Sequence, residues 1–189
     1  AGSAAVLRAV RPELDVDAYR SLLVNSSMAM VNSRGETLPV NTAGAGVLDL
    51  ENAMRSTVAA APVSVSFGSG SGSIDLTREF VLRNLGTTDT EYELSLETAA
   101  NSQPELSVTN LAVPAGGSGT ASLAWKVDGL APGAYEGFVK VVDRSTLIES
   151  RIPYWHGVTG GAAAALTEIG PAQVHFLLVQ EETTRQHRR

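Results

Sequence analysis

The chain has 189 residues, of which 43% are apolar and 18% charged, so it is long enough for one or two globular domains and too apolar for a disordered protein. Its formal net charge of -6 and its low lysine content argue against a nucleic-acid-binding surface, which needs clustered basic side chains. It has no cysteine, which excludes disulfides and cysteine-ligated metals but leaves the compartment open.

Targeting and membrane signals are weak throughout the sequence. No apolar run reaches the roughly 20 residues that a membrane-spanning helix needs, so no membrane span is expected. Residues 1–10 have no basic region ahead of them, and they are therefore interpreted as the interior of a longer protein and not as a signal peptide. The basic residues within 185–189 are predicted to be a solvated tail.

Three helices are predicted within residues 1–57. The first, over residues 4–10, is apolar on nearly every side, which is typical of a buried helix. Asp15 is the predicted N-cap of a second, amphipathic helix, and Asp17 lies in its first turn. After a polar loop, Asp49 suits the start of a third helix, whose apolar stripe would hold Leu48, Leu50, Ala53 and Met54.

Strand patterns follow a short boundary at residues 59–62. Apolar and polar side chains alternate with a period of two in short runs over 63–67, 79–83, 91–97, 106–109, 111–113, 120–127, 135–141 and 147–155. About seven short strands with no helix among them favour a β-sandwich of fibronectin type III or immunoglobulin type. The predicted fold is therefore mainly β, with a short helical segment ahead of the sandwich.

Three regions are predicted from these patterns. Residues 1–57 form the helical segment, residues 62–157 the sandwich, and residues 158–189 a linker, one extra strand within 173–180 and a polar tail. In the sandwich, Tyr135 is predicted to anchor the core, and Gly137 to let a large neighbouring side chain approach its strand.

Candidate functional residues are few. The histidines His156, His175 and His187 are too scattered for metal-ligand spacing, and His156 is interpreted as a strand residue. Trp125, Tyr154 and Trp155 could form an exposed aromatic platform, but Trp125 lies on the apolar face of its strand, and the other two point to opposite faces. No catalytic, cofactor-binding or metal-binding residue is therefore assigned, and no cofactor is expected.

Two further motifs have plain structural interpretations. The glycine-rich stretch 68–72 lacks the strand and lysine context of a phosphate-binding loop, and it is predicted to be a flexible turn. Asn25-Ser26-Ser27 fits the N-glycosylation triplet, which occurs often by chance.

The first 55 residues resemble the end of the catalytic domain of the subtilisin-like serine proteases. The resemblance is carried by Ala1-Gly2-Ser3-Ala4-Ala5-Val6-Leu7, by Arg11-Pro12-Glu13-Leu14 and by Gly44-Ala45-Gly46-Val47-Leu48-Asp49. It implies that the nucleophilic serine lies about two helical turns before Ala1, with the aspartate and histidine further upstream. No catalytic residue of that family falls on a position of this chain.

The later residues resemble the fibronectin type III-like domain that follows the catalytic domain in many large subtilases. The resemblance rests on Val65-Ser66-Phe67-Gly68, Leu82-Arg83-Asn84-Leu85-Gly86, Val113-Pro114-Ala115-Gly116-Gly117-Ser118, Pro132-Gly133-Ala134-Tyr135-Glu136-Gly137 and Ile152-Pro153-Tyr154-Trp155. It implies an extracellular or cell-envelope location. The expected partners are the upstream protease region and protein substrates, or a second copy through an exposed N-terminal helix.

Two functions remain open at this point. The chain is either an inactive C-terminal fragment of a secreted subtilisin-like endopeptidase or a free-standing structural or adhesive module with no proteolytic role. In the first case the sandwich would brace the catalytic domain or position substrates. The sequence upstream of Ala1 distinguishes them, because the first requires a Gly-Thr-Ser-Met-like stretch there.

Overall fold

The computed structural model describes residues 1–98 and 103–160. Within these residues, four helices come first: α1 Gly2–Val10, α2 Val16–Asn25, α3 Val40–Ala43 and α4 Leu50–Arg55. Nine strands then follow in the same described part: β1 Val58–Ala61, β2 Val65–Gly70, β3 Ile74–Asn84, β4 Thr90–Thr98, β5 Glu105–Leu106, β6 Asn110–Val113, β7 Ser118–Val127, β8 Gly133–Asp143 and β9 Glu149–Val158. None of the helices in the described part is long and apolar enough to cross a bilayer.

The strands form two sheets. One has the order β1-β3-β7-β5 and the other the order β2-β9-β8-β4-β6. β2 pairs parallel with β9, and the remaining pairs are antiparallel. The predicted mainly β fold, a sandwich behind a short helical segment, is confirmed.

The core of the sandwich lies between the two sheets and follows from the period-two patterns. The buried apolar side chains come from both sheets and include Phe80, Leu82, Leu123, Trp125, Tyr92, Leu94, Val139, Val141, Ile152 and Tyr154. Tyr135, the predicted anchor, is only partly buried at the margin of this core, and its hydroxyl donates to the Ala131 carbonyl at 2.9 Å. The fully buried tyrosines of the core are Tyr92 and Tyr154 instead, which are 0% and 1% exposed.

Most of the predicted boundary at residues 59–62 belongs to strand β1, Val58–Ala61, which pairs antiparallel with β3. Val58, Ala59 and Ala60 are all buried, because β3 takes one edge of β1 and α2 packs against it. A strand covered on both faces has no alternating pattern to detect. The predicted turn at 68–72 is also partly wrong, because β2 extends through Gly70.

The helical segment has its own small apolar cluster, centred on the buried Leu7, Leu22 and Ala53. Asp15 caps α2 as predicted, since its carboxylate accepts a hydrogen bond of 2.8 Å from the Ala18 amide. Leu48 was wrongly placed in the third helix, because α4 begins at Leu50 and Leu48 is exposed. The short helix α3 was not predicted and interrupts the expected polar loop.

Helix α1 differs from the expectation of a buried helix. Only Leu7 is buried, through packing against α2 and α4, while Val6 and Val10 are 45% and 57% exposed. A cavity of about 750 Å³ between α1 and α2 is lined mainly by apolar side chains. In this chain α1 therefore has one covered and one open side.

Gly137 has the close neighbours that were predicted for it. A Cβ atom placed there would lie 2.4 Å from the Glu97 carbonyl oxygen and 2.5 Å from the Tyr154 hydroxyl. We expect Gly137→Ala to lower the free energy of unfolding by about 1 to 3 kcal/mol, because the strand or Tyr154 must move. Urea denaturation measures this. Gly70→Ala is the control, since open space surrounds that position, and an equal loss in both variants would contradict the prediction.

Candidate functional site at the junction of helices and sheet

The residues singled out from the sequence do not form one site. His156 lies in β9, is 3% exposed, and its Nδ1 lies 3.0 Å from the Gly68 carbonyl oxygen. Trp125 and Tyr154 are buried in the core, whereas Trp155 lies on the opposite face of β9, so they share no exposed platform.

His175 and His187 lie outside the described residues, as do the predicted strand within 173–180 and the basic residues near the C-terminus. In the part of the chain that the structure describes, no group of three or more His, Asp and Glu side chains could hold a metal ion.

Asn25, the first residue of the glycosylation triplet, is a structural residue in the folded chain. It is 2% exposed, and its Nδ2 donates to the carbonyl oxygens of Val63 and Arg151 at 2.8 and 2.9 Å. Its Oδ1 accepts a hydrogen bond of 2.8 Å from the Ser21 hydroxyl. Because the amide nitrogen is buried and fully used, the folded chain does not offer it for modification.

Asn25 and Asn52 together complete the edge of strand β9. Pairing of β2 with β9 begins at Tyr154, so β2 leaves the earlier residues of β9 without a strand neighbour on that side. Asn25 donates to the Arg151 carbonyl there, and Asn52 donates to the Glu149 carbonyl at 3.0 Å. Two amide side chains of the helical segment thus take the place of a strand, as buried backbone carbonyls require.

Asn25→Ala is expected to lower the free energy of unfolding by about 2 to 3 kcal/mol, since it leaves two buried carbonyl oxygens without donors. Amide hydrogen exchange should show faster exchange in α2 and in the first half of β9. Asn41→Ala is the control, because the Asn41 side chain is exposed and its Oδ1 accepts a hydrogen bond from the neighbouring Thr42 hydroxyl, far from β9 in sequence. An equal effect from both substitutions would argue against the edge-completing role.

A second polar anchor lies where the helical segment enters β1. Asp143 is 2% exposed, and its carboxylate accepts hydrogen bonds from the hydroxyls of Thr57, Thr90 and Ser145 and from the amides of Ser145 and Thr146. Burial by itself raises the pKa of Asp143, but the hydrogen bonds from Ser145 and Thr57 outweigh it and hold the pKa at about 2. Asp143 therefore stays charged and fixes Thr57 to the end of β8.

Between these anchors, the outer face of the five-stranded sheet carries a buried arginine. Arg151 is 6% exposed, its guanidinium carbon lies 3.7 Å from the centre of the Phe138 ring, and its Nη2 lies 3.3 Å from Glu97 Oε1. Lys140 pairs with Glu149 on the same face. The sequence holds a signal that could have indicated this arrangement, because Phe138 is an apolar residue between Glu136 and Lys140 on the polar side of its strand.

Two cavities lie between this sheet face and the helical segment. One of about 330 Å³ is lined by residues 26–29 with Asn52, Glu97, Glu149 and Arg151. The other, of about 520 Å³, is lined by residues 36–40 and 136–138 with Glu97 and Thr98. Because they share Glu97 and lie on either side of the Arg151–Phe138 pair, we treat them as one feature and name it the junction groove.

Glu136 forms the far wall of the junction groove. It is 5% exposed, and its Oε2 accepts a hydrogen bond of 2.9 Å from the amide of Asn41 in α3. Burial raises the pKa of Glu136, and the Asn41 hydrogen bond opposes that rise in part. Chemically, the larger cavity offers carboxylates, and the smaller one offers a guanidinium together with Glu97 and Glu149.

Comparisons with known proteins found solved β domains of low similarity and a distant sequence relative. No protein-family model matches the chain. Among solved structures, a PapD-like domain of human CEP192 has a TM-score of 0.43 at 17% identity and covers 54% of this chain and 84% of its own. The CupB2 chaperone of Pseudomonas aeruginosa has a TM-score of 0.44 at 11% identity and covers 58% and 61%. These TM-scores support no conclusion about function.

A distant sequence relative is the minor extracellular protease Vpr of Bacillus subtilis. The chain is 26% identical to it over 146 residues, which is 75% of this chain and 18% of Vpr. The chain thus spans less than a fifth of that protein's length. The similarity is a distant, partial connection to an extracellular protease.

Proposed function

We propose that this chain is the non-catalytic C-terminal part of a secreted subtilisin-like serine endopeptidase. In this proposal, its β-sandwich braces the catalytic domain or positions protein substrates. The observation that carries it is the 146-residue similarity to Vpr. Residues 58–189 are too few to contain a match of that length, so the match must reach into the helical segment. A match that includes the end of the helical segment and part of the sandwich supports the order that the subtilase resemblance implies.

The bracing role is supported by the two anchors at the junction. Asn25 and Asn52 tie the helical segment to β9, and Asp143 ties Thr57 to β8. Because the helical segment is fixed to the sandwich at these anchors, a catalytic domain that packs on the open side of α1 would be held in a fixed position relative to the sandwich. The exposed side of α1, with Val6 and Val10, is the surface that the upstream protease region would cover.

The chain alone is expected to be inactive as a protease. A fluorophosphonate probe, which labels activated serines, should not label the purified chain, and the chain should not hydrolyse casein. An active serine protease labelled in parallel is the positive control, and the heat-denatured chain shows nonspecific labelling. Labelling of a single serine in the folded chain only, with turnover of casein, would overturn the proposal.

Coverage of α1 distinguishes the parent protease from a second copy as the partner. If the upstream region covers α1, its amides should exchange slowly in the longer parent protein and faster in this chain at every concentration. Protection that rises with the concentration of this chain alone would indicate self-association instead. The coding sequence before Ala1 gives an independent check, since it should encode a Gly-Thr-Ser-Met-like stretch.

The proposed location is outside the cell or in the cell envelope. Its support is the extracellular protease named above as a distant relative. Detection of the parent polypeptide in the cytosolic fraction only, with none in the culture medium or envelope fraction, would contradict it.

A further inference from the structure

The junction groove contains hydrogen-bond donors that no described residue satisfies. Arg151 has one nitrogen paired with Glu97, but its Nε and Nη1 have no partner in residues 1–98 and 103–160. Within the same residues, the hydroxyl of Ser26 also has no partner, although Ser26 is 1% exposed. Both residues line the smaller cavity of the groove. Buried donors of this kind carry a desolvation cost that an acceptor would relieve.

The larger cavity has the opposite character. Glu36, Glu97 and Glu136 all line it, and its lining holds no Lys, Arg or His side chain. Its remaining lining includes the apolar Leu38, Val40 and Phe138. Carboxylates beside apolar walls suit the long stem and charged head of a lysine or arginine side chain.

An anionic ligand does not fit this arrangement. Arg151 is already paired with Glu97, and Glu149 also lines the smaller cavity, so a free carboxylate or phosphate would meet two like charges. The unpartnered donors instead need acceptors without net negative charge. Main-chain carbonyl oxygens are such acceptors, and a peptide carries them at regular intervals.

We propose that the junction groove binds an extended peptide segment with a basic side chain. Carbonyl oxygens of the segment accept hydrogen bonds from Arg151 and Ser26, and its lysine or arginine side chain lies among Glu36, Glu97 and Glu136. The unpartnered atoms are covered in the free chain, so residues 26–29 shift when the segment enters. This binding needs only the present chain and does not depend on the proposed protease origin.

The test uses the full chain and three blocked peptides, acetyl-Gly-Ser-Ala-Xaa-Ala-Ser-Gly-amide, in which Xaa is lysine, norleucine or glutamate. Binding is followed by amide chemical shifts in NMR titrations. Saturable shifts at residues 26–29, 36–40 and 136–138 are expected with the lysine peptide. The norleucine and glutamate peptides should bind about tenfold more weakly or worse, the equivalent of one lost charge-assisted hydrogen bond. Added salt should weaken the lysine peptide.

Three variants locate the site. Glu136→Gln should weaken the lysine peptide about tenfold, and Ser26→Ala should weaken all three peptides. Glu79→Gln makes the same charge change on the exposed face of the other sheet, and it should leave affinity unchanged. The proposal is overturned if no peptide gives saturable shifts. It is equally overturned if the lysine and norleucine peptides bind alike, or if Glu136→Gln and Glu79→Gln have equal effects.

Discussion

Replacing Trp125 with alanine is expected to lower the free energy of unfolding by about 3 to 5 kcal/mol. The indole is 1% exposed and meets the rings of Phe67, Tyr154 and His156 edge-on at centroid distances of 5.2, 5.9 and 5.8 Å. Its removal leaves a cavity in contact with both sheets, which the surrounding strands cannot close without breaking their register. Since a domain of this kind is stable by about 5 to 15 kcal/mol, the variant would lose a large part of its stability.

Urea denaturation followed by far-ultraviolet circular dichroism measures this loss. The matched control is Trp155→Ala, which removes a tryptophan side chain from the face of β9 that points away from the core, where the ring is only partly buried. The control should lose clearly less stability, because it leaves the core between the sheets intact. Equal losses for the two tryptophans would show that Trp125 is not the centre of the core.

Asp143→Ala is expected to cost about 3 to 5 kcal/mol, close to the effect at Trp125. The substitution leaves three hydroxyls and two amides without their shared acceptor in a buried position. Thermal or urea unfolding measures the loss. Asp143→Asn should lose less stability than Asp143→Ala, because the amide oxygen still accepts hydrogen bonds. A loss in Asp143→Ala that is smaller than the loss in Asp143→Asn would contradict the anchoring role.

The contribution of Asp143 should also depend on pH in a defined direction. Its pKa is lowered from 3.8 to about 2 in the folded chain, so the folded state favours the charged form. That stability, about 2 kcal/mol, is fully present above the unfolded value and is lost as pH falls from about 4 towards 2. The stability difference between the native chain and Asp143→Asn should therefore shrink over that interval. A difference that is constant from pH 6 to pH 2 would refute this linkage.

The sandwich could be predicted from the sequence because most of its strands have one face in the core and one in water. In residues 120–127 this gives the clean alternation that includes Trp125 and ends on Val127. β1 has no such contrast, since it is covered on both sides, and it was mistaken for a boundary. Tyr135 was predicted to anchor the core but lies at its margin, because periodicity assigns a face but not a depth within the sandwich.

The junction was harder to predict because its contacts join distant parts of the chain. Asn25 reaches Arg151 across 126 positions, and Thr57 reaches Asp143 across 86. Short polar side chains such as these have no periodic signature, and a chance triplet gave Asn25 a different interpretation. The predicted boundaries of the three regions, at residues 57, 62 and 157, stay predictions. The hydrogen bonds of Asn25 and Asn52 to β9 cross the first of these boundaries.

The way Asn25 and Asn52 finish strand β9 bears on how this module can be moved between proteins. A gene fusion that transplanted residues 58–160 alone would leave bare carbonyls along β9, and unprotected sheet borders invite intermolecular pairing and aggregates. Recombination that preserves solubility must therefore carry the leading helices along. The segment that must be transferred intact is therefore larger than the sandwich, and it begins at α2 or earlier.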